Sequence, residues 1–169
     1  MTLTLPSDYA YCLASSFLMI LQYGLMGPWT MSIRIPIFNK DYMKSNFESE
    51  HKNSSVRTPM WGYPDFGSGV YSKKLSYDKW LRFNSALRAH INTMEYITIA
   101  VVSVLILGLF NPCLAGGAGV AWVLLRFFYA WTYMKNIKNI EFAALLSFGL
   151  IFATSAASLL KIYNHLSSK

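Results

Sequence analysis

Four long apolar stretches constrain the fold of this chain most strongly, because each is long enough to cross a bilayer. They run over residues 9–33, 80–110, 112–134 and 142–162, and about 20 mostly apolar residues suffice for a helical span. Hydrophobic residues make up 54% of the 169 positions, and the mean hydropathy is +0.31, which is too apolar for an ordinary soluble domain. The sequence therefore predicts an all-α integral membrane protein, with residues 1–169 forming one four-transmembrane-helix bundle.

The basic residues lie where the loops of such a protein fall. Lysine and arginine number 15 against 8 acidic residues, for a formal net charge of +7. Lys135 and Lys138 lie between spans three and four, and the basic residues between spans one and two include Lys40, Lys44, Lys52, Arg57, Lys73, Lys74 and Lys79. With four spans both loops are on one side, and the positive-inside rule places them on the cytosolic or matrix face. The excess of positive charge thus reflects the orientation of the chain in the membrane, and no nucleic-acid partner is expected.

The segment 36–79 is predicted to be a long polar loop rich in aromatic residues. It carries most of the charges of the chain, interleaved with aromatic residues that include Trp61, Tyr63, Phe66, Tyr71 and Tyr77. Aromatic residues of this kind are enriched at membrane interfaces. A loop of this length without structure of its own is unusual in a compact domain. We therefore expect it to dock on a membrane surface or on another subunit.

A polar run introduces the second apolar stretch. Arg88, Asn92, Glu95 and Tyr96 fall at i, i+4, i+7 and i+8, which places them on one helix face. A charged side chain inside a bilayer costs roughly 2.5–3.5 kcal/mol on insertion scales, so such residues usually face a protein interior. The run therefore either holds a small zwitterionic ligand or attaches one helix to another.

The end of the third stretch carries a second polar face. Arg126, Tyr129 and Tyr133 fall at i, i+3 and i+7, again on one side of a helix. A tyrosine hydroxyl can donate a hydrogen bond to an anion at a membrane boundary. The alternative is an aromatic belt with a snorkelling arginine. Cys12 and Cys113 are too far apart in sequence for paired metal-ligand spacing, so no metal is expected.

These motifs together resemble the MAPEG family, four-helix membrane proteins of eicosanoid and glutathione metabolism. The matching pattern is Phe83-Asn84-x-x-x-Arg88-Ala89-His90-x-Asn92-x-x-Glu95-Tyr96, followed by Asn111-Pro112 and then by Arg126-x-x-Tyr129-x-x-x-Tyr133. The opening Leu5–Tyr11 is similar to that of the microsomal glutathione transferases of the type 3 branch. The family is usually homotrimeric, and the resemblance implies that glutathione binds between neighbouring subunits.

The resemblance also implies which residues contact glutathione. The polar run of span two supplies one side of the site, and the tyrosines of span three resemble partners from the adjacent subunit. Glutathione offers two carboxylates for arginines and tyrosines and an ammonium group for a glutamate. Arg34 matches a basic residue that closes span one, and His90 stands where the family has histidine or glutamine. The implied set is Arg34, Arg88, His90, Asn92, Glu95, Tyr96, Arg126, Tyr129 and Tyr133.

The chain departs from the family pattern just beyond Tyr133. Active relatives carry an arginine there that stabilises the glutathione thiolate, whereas Met134–Ile140 contains Lys135 and Lys138 and no arginine. A lysine can lower the pKa of a thiol as a point charge, although it lacks the planar fork of arginine. Lys135 and Lys138 are therefore the candidate catalytic residues.

Three functions are compatible with these features. The first is a glutathione transferase or peroxidase that acts on lipophilic electrophiles or lipid hydroperoxides, with glutathione as co-substrate. The second is a non-catalytic accessory subunit of a larger membrane complex, such as a mitochondrial one, attached through the loop 36–79. The third is a lipid- or sterol-binding regulator. In each case membrane lipids are partners, and the membrane is that of the endoplasmic reticulum or the mitochondrion.

Overall fold

The regular structure of the described residues is entirely helical. The computed structural model describes residues 5–54, 57, 59–135 and 137–168. In this part of the chain five α-helices follow one another: α1 (Tyr9–Ile37), α2 (Lys40–Asn53), α3 (Tyr77–Gly108), α4 (Pro112–Lys135) and α5 (Ile140–Ser167). Within the same residues α1, α3, α4 and α5 are each long and apolar enough to cross a membrane. The predicted fold class, all-α with four candidate membrane spans, is confirmed.

The segment predicted as a loop contains the helix α2 and two short 3-10 helices, Met60–Gly62 and Ser72–Lys74. The helix α2 begins after Asn39, whose side-chain oxygen accepts a hydrogen bond of 2.9 Å from the backbone N–H of Tyr42, as expected of an N-cap. Its buried residues are Met43 and Phe47, four positions apart. Two apolar residues in a charged helix give a weak periodic signal, so the sequence alone did not indicate a helix here.

The chain divides into two compact units. The first unit comprises the described residues of Met1–Leu25 and Asn92–Lys169, and the second comprises those of Met26–Ile91. The core of the first unit is formed by the beginning of α1, the end of α3, and helices α4 and α5. Its buried apolar side chains are Tyr9, Cys12, Met19, Ile97, Ala100, Val104, Leu107, Ala115, Trp122 and Ile151.

Hydrogen bonds from side chains to backbone carbonyls connect the helices of the first unit. The Tyr9 hydroxyl donates to the carbonyl of Leu105 at 3.0 Å, and the Gln22 amide donates to that of Val123 at 2.8 Å. The Ser158 hydroxyl donates to the carbonyl of Ser103 at 3.0 Å. Polar groups removed from water cost free energy unless they are paired, so these bonds help fix which helix faces meet.

Two glycines of α4 let this helix approach α1 closely. A Cβ atom at Gly119 would lie 2.5 Å from the Ser15 hydroxyl oxygen, and one at Gly116 would lie 2.8 Å from the Tyr11 Cβ. Gly117, on another side of α4, has no such neighbour within 4 Å among the described atoms. Small residues at a helix interface permit this backbone approach, so Gly116 and Gly119 pack on α1 whereas Gly117 does not.

The second unit is organised around a buried arginine near the end of α1. Arg34 donates from Nε to the carbonyl of Trp61 at 2.9 Å, and from Nη2 to those of Gly62 at 2.9 Å and Asp65 at 2.7 Å. Its guanidinium carbon also lies 3.9 Å from the centre of the Tyr63 ring. Three carbonyls are thereby satisfied in one place, which fixes the path of residues 61–65 against α1.

Asp65 organises the next part of this segment. Its carboxylate accepts backbone N–H bonds from Gly67 at 2.7 Å, Gly69 at 3.0 Å and Ser72 at 2.7 Å, and a hydroxyl bond from Ser72 at 2.9 Å. Burial alone would raise the pKa of Asp65, but these hydrogen bonds outweigh it and hold the pKa below its ordinary value. The carboxylate thus takes the place of backbone carbonyls as the acceptor for the N–H groups of Gly67, Gly69 and Ser72.

Candidate functional site

Arg126 of α4 is the buried cation around which the candidate site is arranged. Its side chain is 1% exposed, and Nε and Nη2 donate to the Thr93 hydroxyl oxygen at 3.2 and 2.8 Å. The guanidinium carbon lies 4.4 Å from the centre of the Tyr129 ring and 5.8 Å from that of Trp122. Arg126 therefore rests on aromatic faces and on a neutral hydroxyl, with no carboxylate bonded to it in the part of the chain described.

One terminal nitrogen of this guanidinium lacks a partner. Nη1 of Arg126 is buried and makes no hydrogen bond to any described residue. A buried charged donor that is left unsatisfied is costly, whereas a donor that meets an anion is strongly stabilised. The arrangement is therefore one that an anionic group could complete, which distinguishes it from a closed structural ion pair.

Tyr129, a residue of α4, contacts a residue of α3 and a residue further along α4. The Asn92 side-chain amide donates to the Tyr129 hydroxyl, and the Tyr129 ring meets that of Tyr133 edge to face, with the centres 5.1 Å apart. Tyr129 is buried, while Asn92 and Tyr133 are partly exposed. We call Asn92, Thr93, Arg126, Tyr129 and Tyr133 the α3–α4 polar cluster.

Two further residues of the implied set lie on α3 in the same unit. Tyr96 is half-buried and packs against Phe148 of α5, with the ring centres 4.6 Å apart. Glu95 is exposed, and no hydrogen bond or ion pair joins its carboxylate to another described residue. The structure thus brings Asn92, Arg126, Tyr129 and Tyr133 together within this unit and leaves Glu95 outside that network.

The remaining residues of the implied set lie in the second unit. Arg88 is exposed, His90 is half-buried, and Arg34 is buried. Arg34 is committed to backbone carbonyls of residues 61–65 through Nε and Nη2, a structural task that the sequence did not indicate. Because two of its nitrogens are occupied in this way, Arg34 has less capacity to bind a ligand than its position at the end of span one implies.

The two candidate catalytic lysines lie at the end of α4 and beyond it. Lys135 is the last residue of α4, and Lys138 lies in the short 3-10 helix Ile137–Asn139. Both side chains are exposed. No ion pair involving either lysine occurs in the described part of the chain, so both ammonium groups are available to an anion that approaches this end of the helix.

Thr93 and Trp122 belong to the surroundings of Arg126 but were not identified from the sequence. Thr93 lies inside the polar run, one residue after Asn92, and Trp122 lies one helical turn before Arg126. A buried threonine accepting from an arginine has no charge or spacing signature of its own. The i, i+4 spacing of Trp122 and Arg126 is a signal that could have been used, because such pairs meet on a helix.

The chemistry available to the α3–α4 polar cluster is that of an anion site. A guanidinium offers up to five donors and each tyrosine hydroxyl one, which suits a carboxylate or a thiolate. No group of three or more histidine, cysteine, aspartate or glutamate side chains able to hold a metal occurs within residues 5–54, 57, 59–135 and 137–168. The donor set therefore favours an organic anion.

Comparison with known protein families covers most of the chain. The sequence model of the MAPEG family matches residues 9–162, which is nearly the whole chain. The matched region contains the α3–α4 polar cluster and the folded segment between α1 and α3.

Proposed function

We propose, from the premise that this chain belongs to the MAPEG family, that it is a membrane-bound glutathione transferase or peroxidase. Its substrates would be lipophilic electrophiles or lipid hydroperoxides that partition into the bilayer. Family membership and the four candidate spans support the coarser class, a membrane protein of glutathione or eicosanoid chemistry. The specific activity and the assignment to the type 3 branch are the proposal.

The observation that carries the proposal is the incomplete hydrogen bonding of Arg126. A buried guanidinium that makes no hydrogen bond to a carboxylate of the described residues and has one unused nitrogen is stabilised when a carboxylate enters. Glutathione has two carboxylates. The hydroxyls of Tyr129 and Tyr133, at the end of α4, can supply further donors to the same anion.

The exposed charges of α3 support the same ligand. Glu95 and Arg88 are exposed in the single chain, although charged groups on a membrane helix usually face protein or an aqueous cavity. We propose that Glu95 accepts from the glutathione ammonium group and that Arg88 pairs with a carboxylate. Asn92, His90 and Tyr96 would complete this side of the site. In a homotrimer, the α4 tyrosines of a neighbouring subunit would add to those of the same chain, which already meet Asn92.

The proposed reaction starts from the glutathione thiolate. In conjugation, its sulfur forms a bond to an electrophilic carbon, and the leaving group departs with the bonding electron pair. In peroxide reduction, the sulfur attacks the terminal oxygen and the O–O bond breaks. The lipid alkoxide leaves with the bonding electron pair and takes up the proton that the thiol released. A second glutathione then attacks the oxidised sulfur, which gives glutathione disulfide and water. Lys135 or Lys138 is proposed to stabilise the thiolate as a point charge.

Glutathione binding tests the proposal directly. Wild-type protein in mild detergent should bind glutathione by calorimetry, and Arg126→Met should weaken binding by about tenfold or more, since a hydrogen bond to a charged group contributes about 1.5–3 kcal/mol. Arg82→Gln, at an exposed arginine of α3, is the control and should bind as the wild type does. Tyr133→Phe, at a partly exposed position, serves as the second variant should Arg126→Met fail to fold.

Turnover is measured separately from binding. Wild-type protein should conjugate glutathione to an aryl halide or reduce a fatty-acid hydroperoxide, and Lys135→Gln with Lys138→Gln should slow this without abolishing binding. A wild-type protein that binds no glutathione would overturn the proposal.

A second candidate function is a non-catalytic subunit of a larger membrane complex, for example in a mitochondrial membrane. It is favoured by the absence of arginine in Met134–Ile140. A protein that binds glutathione without turnover and that co-purifies from native membranes with fixed additional subunits would support it. Purification as a homotrimer alone, with turnover, would exclude it.

A further inference from the structure

A groove of about 450 Å³ lies in the second unit, between α2 and the turn that follows it. Its volume falls within the range of about 300–1,000 Å³ that is usual for small-molecule sites. The described residues that line it fall within 38–61, and none of them belongs to the α3–α4 polar cluster. The lining residues are Phe38, Lys40, Met43, Lys44, Glu48, Arg57, Pro59, Met60 and Trp61.

The charge of the groove is strongly positive. Lys40, Lys44 and Arg57 are exposed along it, and no ion pair involving any of them is found among the described residues. Its carboxylate, Glu48, is paired with Lys52 at 2.9 Å, and the hydrogen bond from Lys52 lowers the pKa of Glu48. Lys44 also interacts electrostatically with Glu48, and the described lining residues, three cations and one carboxylate, still leave a net positive charge to attract an anion.

The groove also has an apolar wall, formed by Met60 and Trp61. Met60 is 60% exposed and Trp61 is 37% exposed, which for side chains of this size leaves apolar surface uncovered. Phe38 and Met43 also line the groove, and both side chains are buried. A ligand that fits both walls needs an anionic end and an apolar end.

The apolar wall is held in place by the interactions that organise the second unit. Trp61 has a positive φ of 54°, and its carbonyl accepts from Arg34 Nε at 2.9 Å. A Cβ atom at Gly62 would lie 2.5 Å from a ring carbon of Phe38, so the turn packs directly on Phe38, a lining residue of the groove. Contacts with the buried residues Arg34 and Phe38 therefore fix the position of the apolar wall, so the groove is not formed by surface lysines alone.

We propose that this groove binds an anionic phospholipid of the membrane that the chain spans. The phosphate would pair with Lys40, Lys44 and Arg57. The acyl-chain carbons nearest the head group would lie on Met60 and Trp61. Phe38 directly follows the last residue of the candidate span Tyr9–Ile37, so a lipid of the adjoining leaflet is within reach. Basic pockets beside transmembrane helices are known sites for anionic head groups.

Native mass spectrometry of the full chain in neutral detergent tests this. The probes are phosphatidylglycerol and phosphatidylcholine with the same acyl chains. Phosphatidylglycerol should bind more tightly than phosphatidylcholine. Replacing Lys40, Lys44 and Arg57 by glutamine should weaken its binding about fivefold per cation, on the order of a hundredfold in all. The matched control removes the same charge outside the groove, at the exposed residues Lys73, Lys79 and Arg82, and should change binding less than about twofold.

Two further arms separate other ligands from a lipid. Met60→Ser should weaken phosphatidylglycerol binding but leave binding of glycerol phosphate, the head group without acyl chains, unchanged. Equal affinity for glycerol phosphate and phosphatidylglycerol would overturn the proposal, as would equal effects of the groove variant and the control. Groove-dependent binding of a polyglutamate peptide, with lipid binding unaffected, would assign the groove to an acidic protein instead. None of these outcomes depends on glutathione binding.

Discussion

Arg126 Nη2 lies 2.8 Å from the Thr93 hydroxyl oxygen and donates to it, so a cation buried in the first unit is held by a neutral group of the neighbouring helix. Nε of the same guanidinium donates to the same oxygen at 3.2 Å. A neutral acceptor orients the arginine without neutralising it, which preserves its capacity for an anionic ligand. Thr93 is in this sense a positioning residue of the α3–α4 polar cluster.

Replacing Thr93 by valine should therefore reduce both stability and ligand binding. The valine keeps the shape of the side chain but removes the acceptor for two N–H groups. Leaving a buried donor unsatisfied costs about 1–3 kcal/mol, and we expect the free energy of unfolding in mixed micelles to fall by that amount. Glutathione affinity should fall as well, because the guanidinium loses its fixed orientation.

The matched control for this prediction is Thr98→Val on the same helix. Thr98 is exposed, so its replacement should leave both measurements within about 0.5 kcal/mol of the wild type. A Thr93→Val protein with unchanged stability would show that Arg126 finds another acceptor and that Thr93 does not position it.

Asn92 and Tyr129 should be energetically coupled. The Asn92 amide donates to the Tyr129 hydroxyl between α3 and α4, so Asn92→Ala and Tyr129→Phe each remove the same bond. In a double-mutant cycle the two losses should not add, and the coupling energy should be about 0.5–1.5 kcal/mol. Unfolding in mixed micelles measures it. Strictly additive losses would mean that the bond contributes nothing to stability.

The two sides of the glycine stretch in α4 should respond oppositely to alanine. Gly119→Ala places a methyl group 2.5 Å from the Ser15 hydroxyl oxygen, and overpacking of this kind costs about 1–3 kcal/mol. Gly117→Ala meets nothing within 4 Å in the described structure and should raise helix stability by up to about 1 kcal/mol. Thermal unfolding followed by circular dichroism compares them. Equal effects of the two substitutions would contradict the observed packing of α4 on α1.

The sequence predicted the parts of this fold that depend on strong, local patterns. Apolar stretches of span length gave the four candidate membrane helices, because bilayer thickness fixes their length. The spacing of Arg126 and Tyr129 predicted that they share a helix face, and the structure has the guanidinium against that ring. Helical periodicity was thus the main basis for predicting which residues of the candidate site lie together.

The contacts that were not predicted are those that depend on tertiary structure. The helix α2 has two buried residues among charged neighbours, so no apolar stripe identified it. The task of Arg34 depends on backbone carbonyls 27 to 31 residues away in sequence, and carbonyls are present in every residue. No residue pattern specifies which carbonyls will be left to accept such bonds, and that pairing appears only once the segment has folded.

The Asp65 carboxylate should make the segment around it sensitive to acid. Its pKa is lower in the folded chain than the ordinary value of 3.8, so the folded state binds fewer protons than the unfolded state. The stabilisation is therefore fully present above pH 3.8 and is lost as the pH falls through the lower folded value. Hydrogen-exchange protection of the amides of Gly67, Gly69 and Ser72, corrected for intrinsic exchange, should be constant near neutral pH and should decrease below about pH 4.

Asp65→Asn should lower this protection at neutral pH and remove its dependence on acid, whereas Asp78→Asn, at an exposed carboxylate of α3, should keep the wild-type profile. An Asp65→Asn protein with the same acid profile as the wild type would assign the loss to another carboxylate.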